Sequence, residues 1–384
     1  MSISSAPNVV GVKGRSAFSL IIDNLPLAAP VDYMHCVLQG VFPDFLKQLF
    51  VYCSMADRVL IEKQVSQLSY PREIISYSRK IRPISQIKQF KAKEFFNWLF
   101  YVSLIVFRGK VNLEAYSLLE YLSFGIRILL ESSSEPLIQL AEILLDKFYK
   151  NLVNFYNGDE RMEVINVHCL RHLPYFVRRF GPLFVSSAMS FESFNKIFGE
   201  VISGTCNESG IILRRVLNKY YYSTKELEKE KGRKLNKSIL HNSDSESDYR
   251  AFMKETASLK KGRAIYKQGE FYNRFKKESQ IIDSQAYDRT NGGNEFVFWK
   301  DGFQSNFGRV QYFLKLNKEW VQTYAVVTKF KIKEECGPVK NVMFQVVQTS
   351  EEDLIEAEKL EKVFCCTFSK ETYIIKFISA FDHS

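Results

Sequence analysis

Several features that would place the chain in a familiar class are missing from it. No apolar run is long enough to cross a bilayer. The greasiest stretch, Phe95 to Phe107, is interrupted by Asn97 and Ser103 and falls short of the roughly 20 residues that a span requires, so it reads as a buried helix and no membrane partner is expected. Met1 to Arg15 lacks the apolar core of an export signal and reads as a flexible amino terminus. The seven cysteines (Cys36, Cys53, Cys169, Cys206, Cys336, Cys365 and Cys366) are odd in number and contain no Cys-x-x-Cys pair. That excludes a recognisable disulfide framework and favours reduced thiols that pack as small hydrophobes inside a cell. There is no phosphate-cradling glycine loop, no Gly-x-Ser-x-Gly elbow and no internal repeat. P-loop chemistry and the common serine hydrolases therefore have no support, and no small-molecule substrate is implied.

What is present is ample core material: 384 residues, 46% apolar and 14% aromatic, enough for two or three domains. Lys and Arg outnumber Asp and Glu 53 to 43, a net +10 that suits a polyanionic partner such as DNA without locating the charge.

The apolar spacing divides the chain. Val37, Leu38, Val41, Phe42, Phe45, Leu46, Leu49 and Phe50 recur at intervals of three and four, one face of an amphipathic helix, with Pro43 expected to kink it or begin a second one. Helices are further predicted over 91–107, 113–130, 136–155 and 191–201, with Pro174, Gly181 and Pro182 punctuating the stretch before the last. Between Thr224 and Arg263 large apolar residues nearly vanish, as in a solvated linker. Beyond Asn294 the period changes to two: Tyr324, Val326, Thr328, Phe330 and Ile332 alternate with more polar neighbours, and shorter runs over 295–299, 308–316, 341–347, 363–368 and 373–378 behave alike. The expected class is α+β: a flexible 1–15, a mainly helical 16–222, a charged linker 223–264, and a small antiparallel β-barrel-like or sandwich module over 265–384.

Three constellations could carry chemistry. Asp32 and His35, three apart at a helix start, share a face and could meet one metal, one water or each other; an Asp there is equally an ordinary cap. His168 and His172 have a zinc-compatible spacing but no paired cysteines to complete four ligands, so packing or hydrogen bonding competes with metal binding. Glu192, two residues after the plausible cap Ser190, either serves a helix dipole or holds Mg²⁺.

Taken together, three blocks resemble the TNP2-like transposases of CACTA (En/Spm) elements: PVDYMHCVLQGVFPDFLKQLF at 30–50, SRKIRPISQIKQFKAKEFFNWLFY at 78–101 with Lys91, Ala92 and Glu94, and INVHCLRHLPYFVRRFGPLFVSSAMSFESFNKIFGEVISGT at 165–205. They occur in the family's order. The resemblance implies a ribonuclease-H-like core with an Asp, Asp, Glu triad around two Mg²⁺ ions, interrupted by inserted helices. Asp32 and Glu192 would then be catalytic, with Asp32, His35 and Glu192 as metal ligands. Only Asp23 precedes Asp32 among the acids, so the expectation is a truncated, domesticated remnant of the carboxy-terminal part that is catalytically inactive and needs no cofactor. It would retain non-specific DNA contact through Arg178, Arg179, Arg214 and Arg215, near Tyr220 to Tyr222, in the nucleus or otherwise the cytoplasm. The alternatives are a Mg²⁺-dependent nuclease or strand transferase completed by a partner, and a scaffold for other protein chains.

Overall fold

The computed structural model describes residues 21–22, 28–68, 81–159, 164–189, 191–192, 269–272, 274–277, 280–285, 295–302, 304–317, 321–368, 371–376 and 378. The predicted linker 223–264, most of the predicted helix 191–201, Asp23, Cys206, Arg214, Arg215 and Tyr220 to Tyr222 lie outside these residues.

The helical body opens with a π-helical segment, Met34–Val41, that runs directly into α1 (Phe42–Tyr52), with Pro43 in the first turn. A proline is tolerated there because the first amides of a helix have no intrahelical acceptor to lose. α2 (Met55–Gln67) starts at Ser54, whose hydroxyl accepts from the Asp57 amide. α3 (Ala92–Asn97) and α4 (Ser103–Val106) are joined by a π turn, Trp98–Val102. α5 (Leu113–Glu131), capped by Asn112, and α6 (Glu135–Phe155) form an antiparallel hairpin. Two short helices, α7 (Ile165–Cys169) and α8 (Leu173–Phe180), follow, joined by a 3₁₀ turn, Leu170–His172. Phe42, Phe45, Leu46 and Leu49 of α1 are fully enclosed with Trp98, Leu99 and Phe100, so the predicted apolar face of 37–50 does face a core. No helix among the described residues is long and apolar enough to cross a membrane.

The carboxy-terminal strands are β1 (Gly269–Tyr272), β2 (Arg274–Lys277), β3 (Gln280–Asp283), β4 (Phe296–Asp301), β5 (Gln304–Asn317), β6 (Val321–Cys336), β7 (Met343–Glu356), β8 (Glu361–Phe368) and β9 (Glu371–Lys376). All pairings are antiparallel, and the chain β5-β4-β8-β9-β7-β6 returns to β5. The six strands thus close into a barrel, with β1 added along β5 and the β2–β3 hairpin beside it. Closure needs curvature, and bulges in the long pairs supply it at Val310/Tyr312, Thr328/Phe330 and Ile332/Glu334. One apolar cluster draws from every barrel strand, including Phe298, Phe307, Phe330, Phe344, Val363 and Ile374, and is the interior.

The barrel wall of β7, β8 and β9 lies on the helical body. Met343, Phe364, Tyr373 and Ile375 belong to the same continuous core as the helices. Phe364 stacks on Tyr101 at 5.3 Å, and Arg127 of α5 donates to the Lys376 carbonyl at 2.6 Å.

Candidate functional site

Asp32 stands just ahead of the π-helical segment, and its Oδ2 accepts from the His35 amide at 3.0 Å. The segment buries Met34, Cys36, Val37, Leu38 and Val41, which leaves His35 on the exposed side. Across from it lies α7. An added Cβ at Gly40 would stand 2.5 Å from the Asn166 Nδ2, so this approach requires glycine, and the Cys36 thiol donates to the Asn166 carbonyl at 3.2 Å.

From α7 the chain continues through α8 to Gly181, whose φ of 88° ends the helix, a left-handed conformation natural to glycine. The Leu183 amide then donates to the Leu129 carbonyl at 2.9 Å, and a turn over 182–185 redirects the chain. The Gly-Pro-Leu block therefore steers residues 187–189, 191 and 192 back to the π-helical segment. There the Ala188 amide donates to Asp32 Oδ1 at 2.9 Å and the Tyr33 hydroxyl meets Met189 Sδ at 3.4 Å. Burial pushes the Tyr33 phenol well above its ordinary value; a hydrogen bond to Ser187 opposes the shift and the Asp32 charge reinforces it.

The outcome is a three-residue cluster built from positions far apart in sequence. His35 Nδ1 lies 2.6 Å from Asp32 Oδ2, and His35 Nε2 lies 3.1 Å from Glu192 Oε1. The imidazole and Glu192 are about half exposed and Asp32 is 20% exposed. Both contacts can be donated at once only by a protonated ring. In a histidine general base the far nitrogen faces the substrate proton; here it faces a second carboxylate. Mg²⁺ prefers oxygen ligands in a near-octahedral shell at 2.0–2.1 Å. Asp32 and Glu192 flank opposite edges of one imidazole, so they do not fit a shared Mg²⁺ in this arrangement. Among the described residues no three His, Cys, Asp or Glu side chains are set to hold a metal.

The other expected contacts divide. Arg178 is held by Glu135 and Glu142, at 2.9 and 2.8 Å from its Nη2, and the hydrogen bond to Glu135 leads in raising its pKa. Arg179 is exposed, beside the Tyr175 hydroxyl and the Phe180 ring. His168 and His172 bring their Nε2 atoms to 3.0 Å. Burial pushes the Cys36 thiol up to about 12 and that of Cys53 to about 11, which makes both poor nucleophiles.

Glu94, read from sequence only as part of a motif, is 1% exposed and ion-paired to Arg82 through two bonds of 2.7 and 2.6 Å. It also accepts from the Lys91 amide at 2.9 Å, so the Lys-Ala-x-Glu block is a capping box combined with a buried ion pair. A carboxylate between Ala92 and the Phe95–Phe96 pair was the available signal, because such a charge is buried only when paired.

No known protein family matches the chain, and no match was found among the curated proteins or the solved structures.

Proposed function

We propose that the chain is a transposase-derived protein of the CACTA type in which the acidic cluster serves as a structural clasp instead of a catalytic metal centre, and that it contacts DNA through charge without cutting it. The observation that supports this reading is the position of the His35 ring between Asp32 and Glu192. A two-metal strand-transfer site needs carboxylates converging on shared ions, and this arrangement keeps them apart. The helical body, which has no strand among the described residues between 28 and 192, corresponds in this reading to the inserted helices of a ribonuclease-H-like core. With Arg178 occupied by glutamates, Arg179 is the candidate phosphate contact whose side chain is described.

The test is binding of the purified chain to random-sequence duplex DNA over a salt series, with a Mg²⁺ nicking assay on the same samples. The expected result is affinity that falls steeply with salt, is reduced in Arg179→Ala, and is accompanied by no nicking. Nicking that disappears in Glu192→Gln overturns the reading in favour of an active nuclease.

One observation favours a second reading, a protein scaffold: Val51, Met55 and Val59 at α1 and α2 are 56%, 71% and 66% exposed, and neighbouring apolar side chains left in water are a feature of association surfaces. Absence of salt-sensitive DNA binding would move the conclusion there.

A further inference from the structure

The geometry points to a second site, distinct from the clasp: we propose that His168 and His172 form a two-nitrogen chelate for a transition-metal dication of the Cu²⁺ or Ni²⁺ kind.

His168 is the penultimate residue of α7 and His172 closes the 3₁₀ turn, so the two rings stand one helical turn apart on the same exposed side. Their Nε2 atoms are 3.0 Å apart, with ring centroids at 4.8 Å and planes at 64°. Imidazole nitrogens bind such ions at about 2.0–2.1 Å, and two nitrogens at that distance and 3.0 Å from each other subtend roughly 91–97° at the ion. This is the bite of neighbouring positions in a square-planar or octahedral shell, which Cu²⁺ and Ni²⁺ favour. A tetrahedral Zn²⁺ site would spread the pair to about 3.3 Å.

The adjacent Arg171 is engaged elsewhere, its guanidinium 4.9 Å from the centre of the Tyr149 ring and its Nε 3.6 Å from Asp146. Without metal the contact is one N–H···N hydrogen bond, the proton residing on one Nε2. When the ion takes both Nε2 atoms, that proton moves to Nδ1 of the same ring, and no net proton is released from a neutral pair. Water or an outside oxygen donor fills the remaining positions, and the ion bridges α7 to the turn that follows it.

The site is tested on the full chain by calorimetric titration with Ni²⁺, Cu²⁺, Zn²⁺ and Mg²⁺, for the natural sequence and for His168→Asn, His172→Asn and the double variant. One equivalent of Ni²⁺ is expected to bind. Affinity should fall at least tenfold in either single variant, stay unchanged in His35→Asn, and follow the order Cu²⁺ above Ni²⁺ and Zn²⁺, with no response to Mg²⁺. Electron paramagnetic resonance of the Cu²⁺ form should show coupling to two nitrogens, a readout that needs no variant. Undiminished affinity in the double variant, fewer than two coupled nitrogens, or no Ni²⁺ binding overturns the proposal. None of these results bears on the DNA assay, so the two conclusions fail separately.

Discussion

Asp32 and Glu192 carry the same charge and flank the same imidazole, yet their surroundings differ. Asp32 accepts from the His35 amide, the His35 ring and the Ala188 amide, so it caps the π-helical segment and fastens the backbone at Ala188 to it. Glu192 is about half exposed and touches the ring from outside. A lost cap costs about 1 kcal/mol and a second charge-assisted bond to a backbone amide somewhat more, whereas an exposed ion pair contributes below about 1 kcal/mol. Asp32→Ala should therefore lower unfolding stability by about 2–3 kcal/mol and Glu192→Gln by under about 1 kcal/mol. Urea denaturation distinguishes them, and equal losses would mean that Asp32 does not hold the clasp. The sequence named these residues because their types and the family resemblance singled them out. It could not show that the ring would stand between the carboxylates, because that depends on the turn at Gly181 and on the Ala188 amide reaching Asp32.

Secondary structure was legible where one face of an element is buried and the other wet. α5 and α6 begin and end within about a residue of the predicted 113–130 and 136–155, and each of the six barrel strands overlaps one of the six alternating runs, β5, β6 and β7 extending well beyond theirs. α2 was missed because only Ile61 and Val65 in it are buried while Met55 and Val59 face water, so its apolar residues carry no helical stripe. The alternation in β6 also misled in detail: Ala325, Val326, Val327 and Thr328 are all buried. Ala325 and Val327 join a second cluster with Phe275, Ile282, Ala357 and Leu360, so this part of the strand is covered on both faces. At one end of the barrel, Lys376 places its Nζ 4.0 Å from the Phe298 ring and 3.3 Å from the Ser305 hydroxyl. Burial, then the Lys300 charge, lowers its pKa to about 8. Folding therefore disfavours the charged amine below that value, and stability is regained as pH rises from about 8 towards the unfolded value near 10.4. Lys376→Met should melt higher than the natural chain at pH 7, with the gap narrowing by pH 10. A gap that does not change with pH would show that the amine is not desolvated.

At the scale of the molecule, helices and barrel share one core through Met343, Phe364, Tyr373 and Ile375. The composition change at 223–264 marks a boundary in the sequence, but it carries no information about apolar contact between the parts on either side. Gly337 marks how closely they meet. Its φ is 88°, and a Cβ there would stand 2.5 Å from the Phe124 ring of α5. Gly337→Ala should cost about 2–4 kcal/mol, combining left-handed strain with a core clash. The near-ultraviolet signal of the whole chain should melt in one step at the lower temperature. A variant that melts the strands while leaving the helices at their original temperature would show that the shared core does not couple them. The barrel itself is joined unevenly. β5, β6 and β7 follow one another as long hairpins, while β4 meets β8 only at Val297–Lys362 and Phe298–Glu361. Contacts between distant parts of a chain form late, because closing the intervening loop costs entropy before any pairing repays it. This short seam joins the two hydrogen-bonded neighbours of the ring that are farthest apart in the chain, so it is expected to be the contact that completes the barrel in folding and the first to open.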